Sequence, residues 1–332
     1  MTTTEPDTRR RGVRSWHLGV AVVALAAVAT ASLFAGVTEL TPEGLLRGDP
    51  EQLLVLTESR LPRLLAVLLA GAALSVAGLV MMSLTRNRFV TPSTAGTAES
   101  ASLGVLVATM FFGGESVWVK MLIAVVFALA GTAVFLRILR RLVYTDIIVV
   151  PLAGIMFGGV IGAATTFVAY RADLLQTIGA WTSGEFSGVL AGRYELLWIA
   201  GGIAVLGYLY ADRFTVAGMG RDFSVNLGLH YDRVVNTGLV LVSVITAVIV
   251  VTVGNIPFLG LVVPNLVTLA LGDNLRRVLP VTALAGAFFV LLCDVLGRVV
   301  RHPYEIPVET IAGVLGGALF VYVVLRTRRR PA

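Results

Sequence analysis

The residues of this sequence that could do chemistry are arginines at the ends of long apolar runs. Arg60 and Arg63 head the run "RLPRLLAVLLAGAALSVAG", and Arg298 closes another run, four residues after Asp294. A cation at a helix N-terminus is not stabilised by the helix dipole, so helix formation does not explain Arg60 and Arg63. Arginines offer charge-assisted hydrogen bonds to carboxylates.

Simpler interpretations of these charges are available. A long arginine side chain at the end of a membrane helix can extend its guanidinium group to the lipid headgroups. The spacing of four residues between Asp294 and Arg298 predicts a salt bridge along one face of a helix. The residues by themselves leave anchoring and recognition open.

Other kinds of chemistry have no signature in the sequence. No G-x-x-x-x-G-K-[ST] phosphate loop, nucleophile elbow, zinc-ligand spacing or catalytic dyad is present, and the three histidines are far apart. The single cysteine, Cys293, lies in an apolar run and is interpreted as a packing residue. The chain is therefore predicted not to be an enzyme, and any ATP that drives it must be bound by another subunit.

The composition predicts an integral membrane protein. Hydrophobic residues make up 57% of the chain and charged residues only 14%, with a mean hydropathy of +0.88, whereas soluble domains carry about 25% charged residues. The net charge of +6 does not indicate nucleic-acid binding, because the arginines form short clusters between apolar runs.

Ten segments are apolar enough to predict an all-α protein with about ten transmembrane helices, in one membrane domain over residues 1–332. They are Leu18–Val37, Leu64–Leu84, Ala95–Phe112, Val117–Leu136, Ile147–Tyr170, Tyr194–Ala211, Val234–Val253, Ile256–Leu271, Val278–Gly297 and Pro307–Leu325.

The distribution of basic residues predicts the orientation. With both termini in the cytoplasm, the basic segments 1–17 and 326–332 and 18 of the 26 Lys and Arg residues lie on the cytoplasmic side. Arg60, Arg63 and Arg298 then lie outside. The first apolar segment also fits a cleavable signal peptide, and cleavage would leave the other orientations unchanged.

Few carboxylates lie inside the predicted spans. Glu99, Asp146, Asp173 and Asp294 are all near span ends. A secondary transporter built from inverted repeats normally needs coupling carboxylates within the membrane, so their scarcity counts against this alternative.

The longest cytoplasmic connection covers residues 213–231 and contains a short amphipathic stretch, Asp222–Leu229, bounded by Gly220 and Gly228. This pattern predicts one helix of two turns along the membrane surface. Its alternatives are a solvated loop and a docking element for a cytoplasmic partner.

Motifs spread along nearly the whole chain resemble the permease family of iron–siderophore and vitamin B12 ABC importers. They are "RLPRLLAVLLAGAALSVAG" from Arg60, "RNRFVTPSTAG" from Arg86, "GEFSGV" from Gly184, "GMGRDFSVNLGL" from Gly218, "GNIPFLGLVVPNLV" from Gly254, "GDNLRRVLPVTALAGA" from Gly272 and "EIPVE" from Glu305. The resemblance implies the type II ABC importer architecture, with ten helices in two inverted halves. It also implies a multi-pass protein of the bacterial plasma membrane.

The resemblance further implies the partners. A second permease subunit, identical or homologous, would complete the pathway, and two ATPase subunits would bind ATP and Mg. An extracytoplasmic siderophore-binding protein would deliver the ligand. The chain itself would bind no cofactor, metal or nucleic acid, and its other contacts would be with membrane lipid.

The family's functional positions map onto this sequence in three groups. The positions that dock the binding protein correspond to Arg60, Arg63 and Arg298. The cytoplasmic gate falls on Asn87 and Arg88, where an ordinary positively charged loop is the alternative. The coupling helix, which enters a cleft on the ATPase, falls on Gly220, Arg221, Asp222, Ser224, Asn226, Leu227 and Gly228.

Two details of the resemblance concern specificity. Arg221 stands where the family commonly has an acidic residue, which predicts a different charge partner on the ATPase. The stretch "NRFVTPSTAGT" is closer to permeases for ferric catecholate and petrobactin-type siderophores than to those for vitamin B12. The expected cargo is therefore a ferric siderophore, with cobalamin and haem as alternatives.

Overall fold

The structure is a computed structural model that describes residues 15–36, 40–141 and 149–328. This part of the chain is almost entirely helical. In chain order the elements are α1 Ser15–Phe34, α2 Pro42–Leu46, α3 Pro50–Val55, one π-helical turn Leu56–Arg60, α4 Leu61–Thr85, α5 Thr97–Phe111, α6 Val117–Arg141, α7 Val149–Arg171, α8 Leu175–Thr182, α9 Leu197–Leu209, α10 Ala211–Gly218, α11 Arg221–Asn226, α12 Tyr231–Val253, α13 Leu259–Leu271, α14 Leu275–Val299 and α15 Val308–Arg328.

Each of the ten predicted apolar segments corresponds to a helix, namely α1, α4, α5, α6, α7, α9, α12, α13, α14 and α15. Within the described residues, six of them are long and apolar enough to cross a membrane, while α1, α5, α9 and α13 contribute shorter apolar stretches. The predicted ends at Val37 and Ile147, as well as Asp146 and the basic residues before position 15 and after 328, lie outside the described residues.

The helix contacts follow the pattern of two related halves. In the first half α5 packs against α6 and α7, and in the second half α13 packs in the same way against α14 and α15. Across the halves, α4 packs against α13 and α14, and α12 correspondingly packs against α5 and α6. Each half has five membrane helices. Because five is an odd number, the second half starts on the opposite side of the membrane, and corresponding helices run in opposite directions.

Close glycine contacts hold the centre of the bundle together. A Cβ atom added to Gly78 of α4 would lie 2.1 Å from the carbonyl oxygen of Gly260 in α13. A Cβ added to Gly71, seven residues earlier, would lie 2.6 Å from the carbonyl oxygen of Gly286 in α14. Small residues let membrane helices approach to backbone contact, which maximises van der Waals packing where water supplies no hydrophobic driving force.

Buried hydroxyl groups add polar contacts between helices. Thr97 of α5 lies 2.8 Å from Thr132 of α6, and the hydroxyl of Ser243 in α12 donates to Thr132 at 3.2 Å. All three side chains are buried. Such hydrogen bonds contribute about 0.6–2 kcal/mol each within a membrane.

The connection predicted over residues 213–231 is only partly a loop. Residues up to Gly218 belong to α10, which packs against α4, α12 and α14. Ala211, Phe214 and Ala217 recur every third residue and are buried, so they form the apolar face that attaches α10 to the bundle. The prediction missed this helix because the segment is too short to give a transmembrane signal.

The segment between α1 and α4 also contains helices that were not predicted. Thr41 and Asp49 cap α2 and α3 by accepting hydrogen bonds from backbone N–H groups two or three residues later, and each helix begins with a proline. The π-helical turn Leu56–Arg60 then leads into α4. Arg60 is the last residue of this turn and is buried.

Candidate functional site

Arg63 lies between two carboxylates at the start of α4. Its Nε and Nη2 donate to Oδ1 of Asp294 at 3.0 and 2.8 Å. Its Nη1 donates to Oε1 of Glu305 at 3.0 Å, and Nη2 lies 2.8 Å from Oε2 of Glu305. One guanidinium group therefore joins α4 to the end of α14 and to the segment that precedes α15.

Arg298 shares Asp294 with Arg63. Its Nη2 donates to Oδ2 of Asp294 at 2.6 Å, which confirms the predicted pair along α14. Its Nη1 donates to the carbonyl oxygens of Ser32 and Ala35 at 2.8 and 2.7 Å, and Arg60 also donates to Ala35. The end of α1 is thus attached to α4 and α14 through arginines.

These contacts define an outer ion cluster that consists of Arg60, Arg63, Asp294, Arg298 and Glu305. We call this end of the bundle outer, following the distribution of basic residues. The structure brings the three predicted docking arginines together, but Arg60 and Arg298 are 9% and 5% exposed and bind groups of their own chain. Their docking role stays a prediction.

The two acidic members of the cluster had no predicted role in docking. Glu305 is the first residue of the "EIPVE" motif, and Asp294 was interpreted only as the helical partner of Arg298. Their contacts with Arg63 span 231 and 242 residues of sequence. No local pattern in a single sequence reports a contact over that distance.

The predicted coupling stretch lies at the other end of the bundle, which we call inner. It forms α11, which is shorter than the predicted Asp222–Leu229. Gly220 precedes it with φ of +114°, a conformation that side chains with a Cβ atom rarely adopt. The hydroxyl of Ser224 donates to the carbonyl oxygens of Gly220 and Val216 at 2.7 and 3.0 Å, so buried Ser224 attaches α11 to α10.

Three apolar side chains in and directly after α11 are exposed. Phe223, Val225 and Leu227 are 49%, 55% and 58% exposed. Only Leu227 was among the predicted coupling residues. Arg221 donates to Oδ2 of Asp232 at 3.0 Å, so its partner in this structure belongs to the same chain. The sequence signal for Phe223 and Val225 was their place as apolar residues in the predicted amphipathic stretch Asp222–Leu229.

The predicted gate residues lie in the turn after α4. Buried Asn87 accepts a hydrogen bond from the backbone N–H of Phe89 at 2.9 Å. The carbonyl oxygen of Arg88 accepts from Nδ2 of Asn265 in α13 at 2.9 Å, and the Arg88 guanidinium donates to Asp273 at 3.0 Å. Arg88 is thus connected to α13 and to the segment that links α13 and α14.

A cavity of about 290 Å³ lies between the gate turn and the coupling stretch. Its lining includes Arg86 and Arg88 of the turn, Thr215 and Met219 of the segment before α11, and Asp273. The structure therefore brings the gate and coupling predictions to the same end of the bundle. Because α14 starts here and ends at the outer cluster, the two sites are separated by roughly 37 Å, the length of its 25 residues.

The comparisons with known proteins extend over nearly the whole chain. The model of the FecCD transport family matches residues 24–326. The petrobactin import system permease protein YclN of Bacillus subtilis is 46% identical, with 92% of this chain and 97% of the relative covered. The ferric-anguibactin transport system permease protein FatD of Vibrio anguillarum is 40% identical over the same shares.

More distant relatives share the whole length and the fold. The vitamin B12 import system permease protein BtuC of Salmonella paratyphi A is 32% identical, with 97% of this chain and 98% of the relative covered. A solved structure described as an inward-facing metal-chelate type ABC transporter superposes with a TM-score of 0.81 at 24% identity, over 94% of this chain and all of that one. The predicted ABC importer fold is confirmed, and the chain is a membrane-spanning permease that belongs to the FecCD transport family.

Proposed function

We propose that this chain is the permease subunit of an ATP-driven importer that moves ferric siderophore complexes across the plasma membrane of a bacterium into the cytoplasm. One observation carries the choice of cargo. The chain is 46% identical to a petrobactin permease and 32% identical to a vitamin B12 permease, and both matches extend over almost its full length. The proposal includes cytoplasmic termini and a second permease subunit.

We assign a different partner protein to each end of the bundle. An extracytoplasmic binding protein docks its carboxylates on the outer cluster, because arginines bind carboxylates strongly and steer charged partners. Two ATPase subunits, which bind ATP and Mg, receive α11 at the inner end. The gate turn at Asn87 and Arg88 then responds to movement of the neighbouring coupling stretch.

An uptake assay with purified components tests this function. The chain is reconstituted in vesicles with candidate ATPase and siderophore-binding proteins from the same genome, and uptake of ferric petrobactin, cobalamin and haem is compared. We expect uptake of the ferric siderophore that requires ATP hydrolysis. Preferred uptake of cobalamin or haem would change the cargo, and uptake that an ionophore abolishes without any need for ATP would identify a secondary transporter.

The exposed apolar residues Phe223 in α11 and Leu227 at its C-terminal end give a prediction for the ATPase contact. Replacing Phe223 and Leu227 with alanine together is expected to weaken ATPase binding at least tenfold, because fully burying a large apolar side chain contributes about 1.5–3 kcal/mol. Binding is measured with the permease in nanodiscs, and uptake is measured in vesicles. The matched control is the pair Leu46→Ala and Leu54→Ala, which removes two exposed leucines at the outer end. Equal ATPase affinity in both double variants would contradict the assignment.

A further inference from the structure

Glu305 is the accessible carboxylate of the outer ion cluster. Its side chain is 27% exposed, compared with 1% for Asp294, and Arg63 between them is 13% exposed. The two carboxylates occupy different edges of the Arg63 guanidinium group. Asp294 accepts from Nε and Nη2, and Glu305 lies against Nη1 and Nη2.

This arrangement determines how an acidic group from outside could reach Arg63. The edge towards Asp294 is closed, because Asp294 is buried and also binds Arg298. The other edge lies against Glu305, the more exposed carboxylate, whose Oε1 accepts a hydrogen bond from Nη1 and whose Oε2 lies 2.8 Å from Nη2. An external carboxylate therefore has to take the place of Glu305.

The charge of the cluster favours such an exchange. Three guanidinium groups, those of Arg60, Arg63 and Arg298, are grouped with the two carboxylates of Asp294 and Glu305. Once Glu305 leaves, Asp294 is the carboxylate that Arg63 and Arg298 share within the described residues, so an approaching anion is attracted to Arg63. Glu305 belongs to the connection between α14 and α15, so a movement at this position does not break a helical hydrogen bond.

We propose that Glu305 is an internal competitor that holds the docking position on Arg63 until a carboxylate of the binding protein displaces it. This inference rests on the docking role of the outer cluster proposed above. Because one carboxylate replaces another, the net affinity is a difference between two similar contacts. Docking is then weak enough to reverse after the ligand has been delivered, although each individual contact is strong.

Displacement also acts on the neighbouring backbone. The next residue, Ile306, donates its N–H to the carbonyl oxygen of Gly297 at 3.0 Å, and α15 begins two residues later at Val308. Glu305 is thus the point at which a docked partner can alter the connection between α14 and α15.

The test is a gain of affinity, which misfolding cannot imitate. In nanodiscs, Glu305→Gln is expected to bind the binding protein selected by the uptake assay at least threefold more tightly than the unchanged chain at low salt. The difference should shrink at about 1 M salt, where the Debye length falls to about 3 Å. The matched control is Glu195→Gln, which removes one exposed carboxylate that accepts a hydrogen bond from the N–H of Gly192 and does not contact the cluster.

A second variant separates failure of this inference from failure of the docking proposal. Arg63→Gln leaves Asp294 paired with Arg298, and it is expected to weaken binding at least tenfold. If Arg63→Gln binds like the unchanged chain, docking on this cluster and the exchange are both wrong. If Arg63→Gln binds weakly but Glu305→Gln shows unchanged or reduced affinity, docking stands and the competitor role of Glu305 is refuted.

Discussion

Asp294→Asn is expected to destabilise the permease by about 3–5 kcal/mol, the usual cost of breaking a buried ion pair by removing one partner. Asp294 is 1% exposed and is the shared carboxylate of Arg63 and Arg298. Without its negative charge, Arg298 keeps only carbonyl partners in a buried site. The measurement is thermal unfolding of the purified protein in detergent, followed by tryptophan fluorescence.

The control for this prediction has the same spacing but a different environment. Glu43 and Arg47 form a salt bridge four residues apart, with side chains that are 73% and 76% exposed. Exposed pairs of this kind contribute about 0–1 kcal/mol, so Glu43→Gln should change the unfolding temperature little. If Asp294→Asn unfolds at the same temperature as Glu43→Gln, the cluster does not stabilise the fold.

A double variant checks the cause of the loss. Asp294→Leu together with Arg298→Leu should be more stable than Asp294→Leu alone, because no guanidinium group remains at position 298 without a carboxylate. Arg63 keeps Glu305 in this double variant. Replacing a buried ion pair with apolar residues of similar volume is often neutral or stabilising.

Gly78→Ala is expected to cost about 3 kcal/mol, at the upper end of the range for overpacking. The new methyl group would lie 2.1 Å from the carbonyl oxygen and 2.6 Å from the Cα atom of Gly260. Both contacts are with backbone atoms, which cannot rotate away, so α4 and α13 would have to separate. The yield of folded protein and its unfolding temperature report this cost.

The functional consequence of separating α4 and α13 is also measurable. Arg88, in the turn after α4, binds Asn265 of α13 through its carbonyl oxygen, and this contact would shift with the helices. Uptake should therefore fall further than the loss of folded protein explains. Gly202→Ala in α9 is the control, because a Cβ atom there meets no atom within 4 Å. Similar stability for the two variants would show that the close contact between α4 and α13 is unimportant.

The outer cluster contains both buried members and members nearer to the surface, so burial of its arginines is compatible with a role in partner binding. Arg298 and Asp294 are buried and connect α1, α4 and α14, so they position the cluster. Arg63 and Glu305 lie nearer to the surface, and in our proposal their contact is the one that a partner replaces. The same ion network can therefore support the fold and accept an acidic ligand.

The sequence by itself determined the features that depend on short stretches of chain. A membrane helix is selected by the transfer energy of about 20 consecutive residues, so all ten apolar segments could be located from hydropathy. The pair of Asp294 and Arg298 follows from helical spacing, and α11 follows from its bounding glycines. These features are local, because their energies depend on neighbours within one or two turns.

Tertiary structure alone decided which distant groups meet. Arg63 contacts Asp294 and Glu305 only because α4 packs against α14 in the folded bundle, and Gly78 has no room for a Cβ atom only because Gly260 lies opposite. The helix α10 was missed for the same reason, since its short apolar face becomes favourable only when α4, α12 and α14 cover it. In these cases the stabilising free energy comes from a contact between two segments, and the sequence of either segment alone does not predict it.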